Sequence, residues 1–356
     1  MFISHPGRAS AGLVHVAQRM TTVANTAKIR HMTSIFSKVC IVGCGAIGGW
    51  IGAGLARAGC EVSVFARGST LAALQRQGLK MGDEQHSVNA SADATKLGVQ
   101  DLVVIAVKAP ALRDVVQQIG PLIGPRTVVV TAMNGVPWWF FQDFGGALSG
   151  TQLQSIDASG EIAGAIPAAN VIGCVVHASC SVDAPGVIHH HFGNGLILGE
   201  PSGVVSARVQ ALSTLLTQAG FASSVSPQLQ KDVWYKLWGN MTMNPVSALT
   251  GATTDLILGD ELVCTFVSAV MLEAKEIGAR IGIPIEQQPA DRHKVTLKLG
   301  AFKTSMLQDV EASKAVELDA LVTVVKELGS LTGVPTPFTD ALLGLSRLQA
   351  RVRGLY

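Results

Sequence analysis

A lysine and two asparagines recur at four-residue steps in the segment Trp234-Tyr235-Lys236-Leu237-Trp238-Gly239-Asn240-Met241-Thr242-Met243-Asn244-Pro245. Each step of four overshoots a full helical turn by only about 40°, so Lys236, Asn240 and Asn244 share one stripe of a helix. Most of the intervening positions are apolar or aromatic. That pattern points to a buried helix, and a buried ammonium or amide needs a partner. Two readings follow. The stripe faces solvent at a domain edge, or it faces a polar cleft where Lys236 gives a proton and the amides grip a ligand. A lysine donor suits carbonyl reduction, because a cation stabilises the oxyanion that forms as hydride arrives. Pro245, directly after the stripe, is expected to kink or break the helix.

A second group of residues could hold phosphate. Gly43-Cys44-Gly45-Ala46-Ile47-Gly48 has glycine at the first, third and sixth positions, directly after a short apolar run and ahead of a helical one. The first glycine permits a tight turn and the second lets the backbone approach a pyrophosphate. The third lets the helix pack closely on the sheet. The helix N-terminus adds unpaired N–H groups and a partial positive charge. The following strand ends Phe65-Ala66-Arg67-Gly68, where an NAD enzyme places an acid for the ribose hydroxyls. Arg67 instead offers a bidentate partner for a 2′-phosphate, and Glu61 lies at the wrong end of the strand. NADPH is therefore the expected cofactor. Cys44 reads as a small buried residue rather than a reactive one.

These residues need a scaffold. Lys38–Val42, Glu61–Ala66, Leu102–Val107 and Thr127–Met133 are short apolar runs separated by helical stretches such as Ala46–Ala58 and Ala109–Ile119. Such alternation indicates a parallel sheet covered on both faces. Gly82-Asp83 suggests a small hairpin within Leu79–Ala90. Val171–Ser181, Gly186–Phe192 and Leu196–Gly199 read as strands turning at Ala184-Pro185-Gly186 and at Gly193-Asn194-Gly195. Beyond Pro227 the pattern is helical: Asp232–Leu249, Glu261–Ile281, Lys314–Leu331 and Pro337–Arg351. The expected architecture is α/β, a Rossmann-like dinucleotide-binding domain over residues 37–226 followed by an all-α substrate and catalytic domain over 227–356. Their junction is the expected ligand cleft.

Composition excludes several classes. Of 356 residues 48% are hydrophobic and 15% charged, and the formal net charge is +2. A nucleic-acid partner is not expected from so small a charge, with Lys and Arg scattered. Val39–Ala56 is 18 residues without a charge, but six are glycine, so it reads as strand, turn and helix rather than a membrane span. The six cysteines form no CxxC pair, which fits reduced thiols in a cytoplasmic protein. His189-His190-His191 cannot share one metal ion on a strand, where neighbours alternate faces; no metal is expected. No acid precedes Glu61, and Met1–His31 has the composition of an organellar targeting segment. The preferred alternative is a start at Met32, with residues 1–36 a disordered or mis-called extension outside the fold.

Taken together the motifs resemble the ketopantoate reductases (2-dehydropantoate 2-reductases), from about Lys38 to the C-terminus. The resemblance rests on the glycine turn, Val107-Lys108-Ala109, Asn134-Gly135, the Lys236/Asn240/Asn244 stripe, Ser305-Met306-Leu307-Gln308-Asp309 and Glu317-Leu318-Asp319. It implies that Lys236 is the general acid and that Glu317 holds its ammonium or the substrate hydroxyl. It also implies that Ser305 binds the substrate carboxylate, with Asn240 and Asn244 lining the pocket and Asn134 orienting cofactor and substrate. Arg67 and Lys108 would recognise the 2′-phosphate end of NADPH. The implied reaction is reduction of a branched 2-oxo acid, 2-dehydropantoate in particular, by a chain that could be a homodimer. The alternatives are a related reductase for another, for instance aromatic, 2-oxo acid, and a non-catalytic NADPH-binding sensor. Two departures stand out. Members of the family carry a further asparagine where this chain has Thr254, and Trp138-Trp139-Phe140-Phe141 makes the segment after Asn134 bulkier. The Trp residues either reach the cleft or close the sheet edge.

Overall fold

The strand, turn and helix expected around Gly43 are present in the computed structural model, which describes residues 35–356. Strand β1 (Lys38–Val42) leads through the turn into helix α1 (Ala46–Arg57), and β2 (Glu61–Phe65) returns parallel to β1. Helix α2 (Gly68–Gln77) follows. Then come β3 (Leu79–Met81), β4 (Glu84–His86), β5 (Asn89–Ser91), β6 (Leu102–Ile105), α3 (Leu112–Val116) and β7 (Val128–Thr131). Two short helices, α4 (Gln154–Asp157) and α5 (Glu161–Ala165), precede the long strands β8 (Val171–Ala184) and β9 (Val187–Gly199). Helix α6 (Ala207–Gln218) and β10 (Ala222–Val225) complete the first half. The sheet order is β4-β3-β9-β8-β7-β6-β1-β2-β5, with β10 also pairing with β9.

The centre of this sheet, β8-β7-β6-β1-β2, is parallel, and β8–β9 and β3–β4 are antiparallel. Side chains alternate across the central strands. Val39 and Ile41 pack on one face with Leu55 and Leu212, while Cys40 and Val42 pack on the other with Val115 and Trp139. Both faces are covered, which explains why β1 is an uninterrupted apolar run. Phe36, at the end of the expected extension, is 3% exposed. The expectations about residues 1–31 fall outside the described residues.

The rest is helical: α7 (Leu229–Thr250), α8 (Thr254–Gly259), α9 (Glu261–Arg280), α10 (Pro289–Leu297), α11 (Ser305–Glu311), a π-helical turn (Asp319–Thr323), α12 (Val324–Thr332) and α13 (Pro337–Val352). Helix α7 is the axis of this half. Its Trp234 and Trp238 are buried, and their indole N–H groups donate to Ala274 O at 3.2 Å and Met271 O at 2.7 Å on α9. The large rings therefore enter the core without leaving a polar atom unpaired.

Three local expectations are corrected. Pro245 does not end its helix, because α7 runs on to Thr250 with Pro245 among its buried residues; packing on several sides outweighs the lost backbone bond. Gly193-Asn194-Gly195 is not a turn. His177 faces Gly195 and Ser179 faces Phe192, so β9 carries one extra residue there. Gly193 at φ 74° makes it a bulge in one continuous strand. The helix expected from Lys314 begins only after Glu317, since Lys314 N donates to Asp309 O and residues 314–317 are irregular. Ala184-Pro185-Gly186 does turn, and Gly82 at φ 57° closes the β3–β4 hairpin.

Candidate active site

At the end of β1 each glycine has a separate steric reason. Gly43 has φ 91°, and a Cβ there would lie 2.5 Å from Val107 Cγ1. A Cβ on Gly48 would lie 2.1 Å from Gly43 O, so α1 reaches its place only because residue 48 has no side chain. A Cβ on Gly45 would meet nothing within 4 Å. Open space therefore stands in front of the helix start. Helix α1 has no side-chain cap and no acid in its first turn, which leaves the N–H groups of Ala46 and Ile47 available to an anion. Cys44 is buried, and burial pushes its thiol up to about 12, so it stays protonated and inert. Arg67 is exposed at the end of β2, directly before α2.

The lysine stripe meets the sheet just beyond the end of β7 and within β8. Lys236 Nζ donates to Asn134 Oδ1 at 2.8 Å and to Val176 O at 2.7 Å. The residue keeps some exposed surface, but its ammonium is enclosed, and that burial lowers its pKa to about 8 against the opposing pull of Cys174 and then Glu317. Asn240, one turn on, lines a small void with Lys236, Asn134 and Met133 that has about 10 Å³ of room. Asn244 lies a further turn along at 5% exposure. Ser305 opens α11, its helix capped by Thr304, and its half-buried hydroxyl has no hydrogen-bond partner among the described residues.

Asn134 is held by its neighbour. Gly135 has φ 83°, and a Cβ there would lie 2.4 Å from Ala320 O, while Val136 N donates to the same carbonyl at 3.0 Å. The loop after β7 is thus docked on the π-helical turn of the second half. Such turns are frequent at functional sites.

Glu317 is 5% exposed. Its Oε1 accepts from Ala109 N at 3.0 Å and its Oε2 from Lys108 Nζ at 3.3 Å, and Lys108 also pairs with Asp309 Oδ2 at 2.6 Å. Burial pulls the Lys108 pKa down, but Glu317 and Asp309 together leave it raised. Of the two roles the resemblance implies for Glu317, a hydrogen bond to the Lys236 ammonium is not among its contacts: Glu317 binds the ammonium of Lys108 and reaches Lys236 through its charge, and Lys108 is engaged by two acids of the helical half. Asp309 lies four residues after Ser305, one helical turn on, which was the available signal for it.

Thr254 explains one departure from the family pattern. At 2% exposure, it donates from N to Phe302 O at 3.0 Å and from Oγ1 to Gly300 O at 3.1 Å, tying down the loop ahead of Ser305. The two tryptophans divide. Trp139 is buried with Nε1 on Thr131 Oγ1 at 3.1 Å. Trp138 is half-buried and lines, with Met133, Asn134, Ile156, Glu317 and Tyr356, a cavity of about 670 Å³ that adjoins the Lys236 void. His190 stacks on Trp50 at 5.6 Å, whereas His189 and His191 approach each other at 4.6 Å.

A mixed sheet with a glycine turn against an uncapped helix, closed by a helical unit that brings an enclosed lysine to the strand ends, defines the class: an oxidoreductase built on a dinucleotide-binding sheet. Within it, residues 39–203 match Ketopantoate reductase PanE/ApbA and residues 228–350 match Ketopantoate reductase PanE/ApbA C terminal, and the chain belongs to that family. It is 45% identical over 324 residues to the 2-dehydropantoate 2-reductase of Mesorhizobium japonicum, covering 90% of this chain and 99% of that protein. It is 27% identical to that of Nostoc sp., covering 86% and 92%. A crystal structure of a candidate ketopantoate reductase from Ralstonia solanacearum MolK2 superposes with TM-score 0.87 at 55% identity, covering 90% and 100%. Among the described residues no helix is long and apolar enough to cross a membrane.

Proposed function

We propose that this chain reduces a branched 2-oxo acid, 2-dehydropantoate foremost, to the 2-hydroxy acid with NADPH. The observation that carries this reading is the enclosed Lys236 ammonium, fixed by Asn134 Oδ1 and Val176 O where the two halves meet. The reduced nicotinamide supplies the hydride. Gly43, Cys44, Gly45, Ala46, Ile47 and Gly48 would bind its pyrophosphate through backbone N–H groups, and the exposed Arg67 its 2′-phosphate. Lys108 is the other cation at the strand ends; it can turn to that phosphate only by leaving Asp309 and Glu317. Lys236 gives the proton to the carbonyl oxygen as charge builds there. Asn240, Asn244 and the free Ser305 hydroxyl would hold the acid, and Glu317 keeps a negative charge near the lysine. The family resemblance and the relatives' names support the reaction class.

An aromatic 2-oxo acid is the second reading, favoured by the largely apolar cavity beside Asn134 and Trp138. Oxidation of NADPH or NADH should be followed with 2-dehydropantoate, 2-oxoisovalerate and phenylpyruvate. NADPH is expected to give the higher kcat/KM by about tenfold or more, the margin of a charge-assisted arginine contact, and one of the branched acids the fastest turnover. Preference for NADH sinks the cofactor assignment, preference for phenylpyruvate selects the second reading, and silence with all three acids sinks the reaction.

The lowered pKa of Lys236 sets a pH profile. A proton donor must be charged, so kcat/KM for reduction should be level below pH about 8 and fall roughly tenfold per unit above it. The reverse oxidation, which needs the neutral amine, should rise over the same range. A reduction rate that stays level to the ordinary lysine range near pH 10 removes Lys236 as donor.

A further inference from the structure

Arg292 on α10 is a cation for which neither the fold nor the proposed proton transfer has a use. Its guanidinium lies across α7 at Gly239, where a Cβ would stand 2.7 Å from Nη2 and 3.0 Å from Nε. Residue 239 must therefore be glycine for the guanidinium to occupy this place. The charge sits 5.9 Å from the centre of the Tyr235 ring, and Nη1 donates to Thr296 Oγ1 at 3.2 Å. No carboxylate of the described residues pairs with it, and its Nε is buried with no acceptor. A desolvated guanidinium without an anion is costly. An arginine so placed is missing a partner.

Its surroundings say where that partner would come from. Tyr235 and Gly239 flank Lys236 and Asn240 in sequence, so Arg292 covers the side of α7 next to the lysine stripe. Burial lowers the pKa of His177, the positive charges of Lys236 and Arg292 depress it further, and His177 directly follows Val176, whose carbonyl holds Lys236. Lys236 and Arg292 thus each lie within electrostatic reach of the same histidine. The acid that also acts on His177 is Asp232, and it is already bonded to Ser226 Oγ at 2.6 Å. Two cations therefore act on His177 against one carboxylate, and that carboxylate does not pair with Arg292. A 2-oxo acid brings a carboxylate of its own, and the planar fork of an arginine matches it bidentately.

We propose that Arg292 holds a carboxylate of the substrate and is the residue that selects 2-oxo acids over uncharged carbonyl compounds. This rests on the 2-oxo acid reductase reading above. The carboxylate could be the one next to the reacting carbonyl or a distal one on a 2-oxo dicarboxylic acid, and substrate choice separates them.

The test compares the full-length chain with Arg292→Gln and Arg292→Lys under saturating NADPH. The substrates are 2-oxoisovalerate, 2-oxoglutarate and the methyl ester of 2-oxoisovalerate. For Arg292→Gln, KM for the acids should rise about 10- to 100-fold, the range for a hydrogen bond to a charged group. The kcat should change only a few-fold, and KM for NADPH and for the ester should stay put. Arg292→Lys should recover part of the loss, which a merely structural role of the arginine would not produce. A rise for both acids assigns the carboxylate next to the carbonyl; a rise for 2-oxoglutarate alone assigns the distal one. Unchanged KM for both acids overturns the proposal. Should the unaltered chain reduce none of these compounds, the reductase reading fails by itself, and calorimetric titration with oxalate decides the arginine. Oxalate binding that weakens in Arg292→Gln supports it. Equal affinity in both chains, or no binding to either, overturns it.

Discussion

Lys236→Met is expected to lower kcat by about 10²- to 10⁴-fold, the range for a positioned general acid, while NADPH binds with near-normal affinity. Methionine keeps most of the lysine's length, so the wall of the small void is preserved and the main loss is the proton. The loss should appear in kcat rather than in KM, because the donor acts as charge develops on the carbonyl oxygen and not when the substrate docks. The substitution does leave Asn134 Oδ1 and Val176 O without their shared donor. A moderate fall in thermal stability should therefore accompany the loss. Steady-state turnover together with fluorescence titration of NADPH reads both effects. Turnover within a few-fold of the unaltered chain would falsify the assignment of Lys236 as donor.

Gly48→Ala is the second change with a large expected effect, and it acts at the other wall of the cleft. The added methyl would lie 2.1 Å from Gly43 O and 3.1 Å from Ala106 Cβ. One of these obstacles is backbone and the other is fixed to a buried strand end, so neither can turn aside. Helix α1 must move off the sheet, at about 1–3 kcal/mol for an overpacked site. Moving it withdraws the N–H groups of Ala46 and Ile47 from the phosphate position. Gly45→Ala makes the matched control, since its methyl meets no protein atom within 4 Å. Gly48→Ala should melt several degrees lower and bind NADPH far more weakly. Gly45→Ala should melt normally and lose only NADPH affinity. Equal melting of the two chains and equal affinity would show that the third glycine has no packing role here.

The sequence was readable where the chemistry is local. Glycines at fixed offsets report backbone conformation directly, and an i, i+4 stripe reports a helix face, so the turn and the alignment of Lys236 with Asn240 could be foreseen. Gly193-Asn194-Gly195 was misread because a left-handed glycine serves a bulge as well as a turn, and only the pairing of β8 with β9 tells them apart. Pro245 was misread because local strain is outweighed by burial that no local pattern reveals. Lys108 pairs with Asp309 and Glu317 across 201 and 209 residues, and although the one-turn step from Ser305 marks Asp309, nothing in the sequence links either acid to Lys108. Arg292 gives still less signal, being one arginine in a polar helix until Gly239 is seen beneath it.

The docking of Gly135 on Ala320 has a consequence for how the molecule comes apart. It is one of several ties between the halves. Ser155 N and Oγ donate to Glu327 on α12, and Phe192 of the β8–β9 arm packs edge-on against Phe302 at 6.0 Å. One continuous apolar cluster also runs from Val103 and Trp139 of the sheet to Val267 and Leu328 of the helices. Pulling the halves apart would expose that cluster and strand the loop that carries Asn134. The sheet half keeps a second apolar cluster of its own, from Val39 to Phe221, but the shared cluster couples the unfolding of the two halves. Free energy gained when cofactor settles on the glycine turn is accordingly shared by the distant helices, whose melting temperature rises with it.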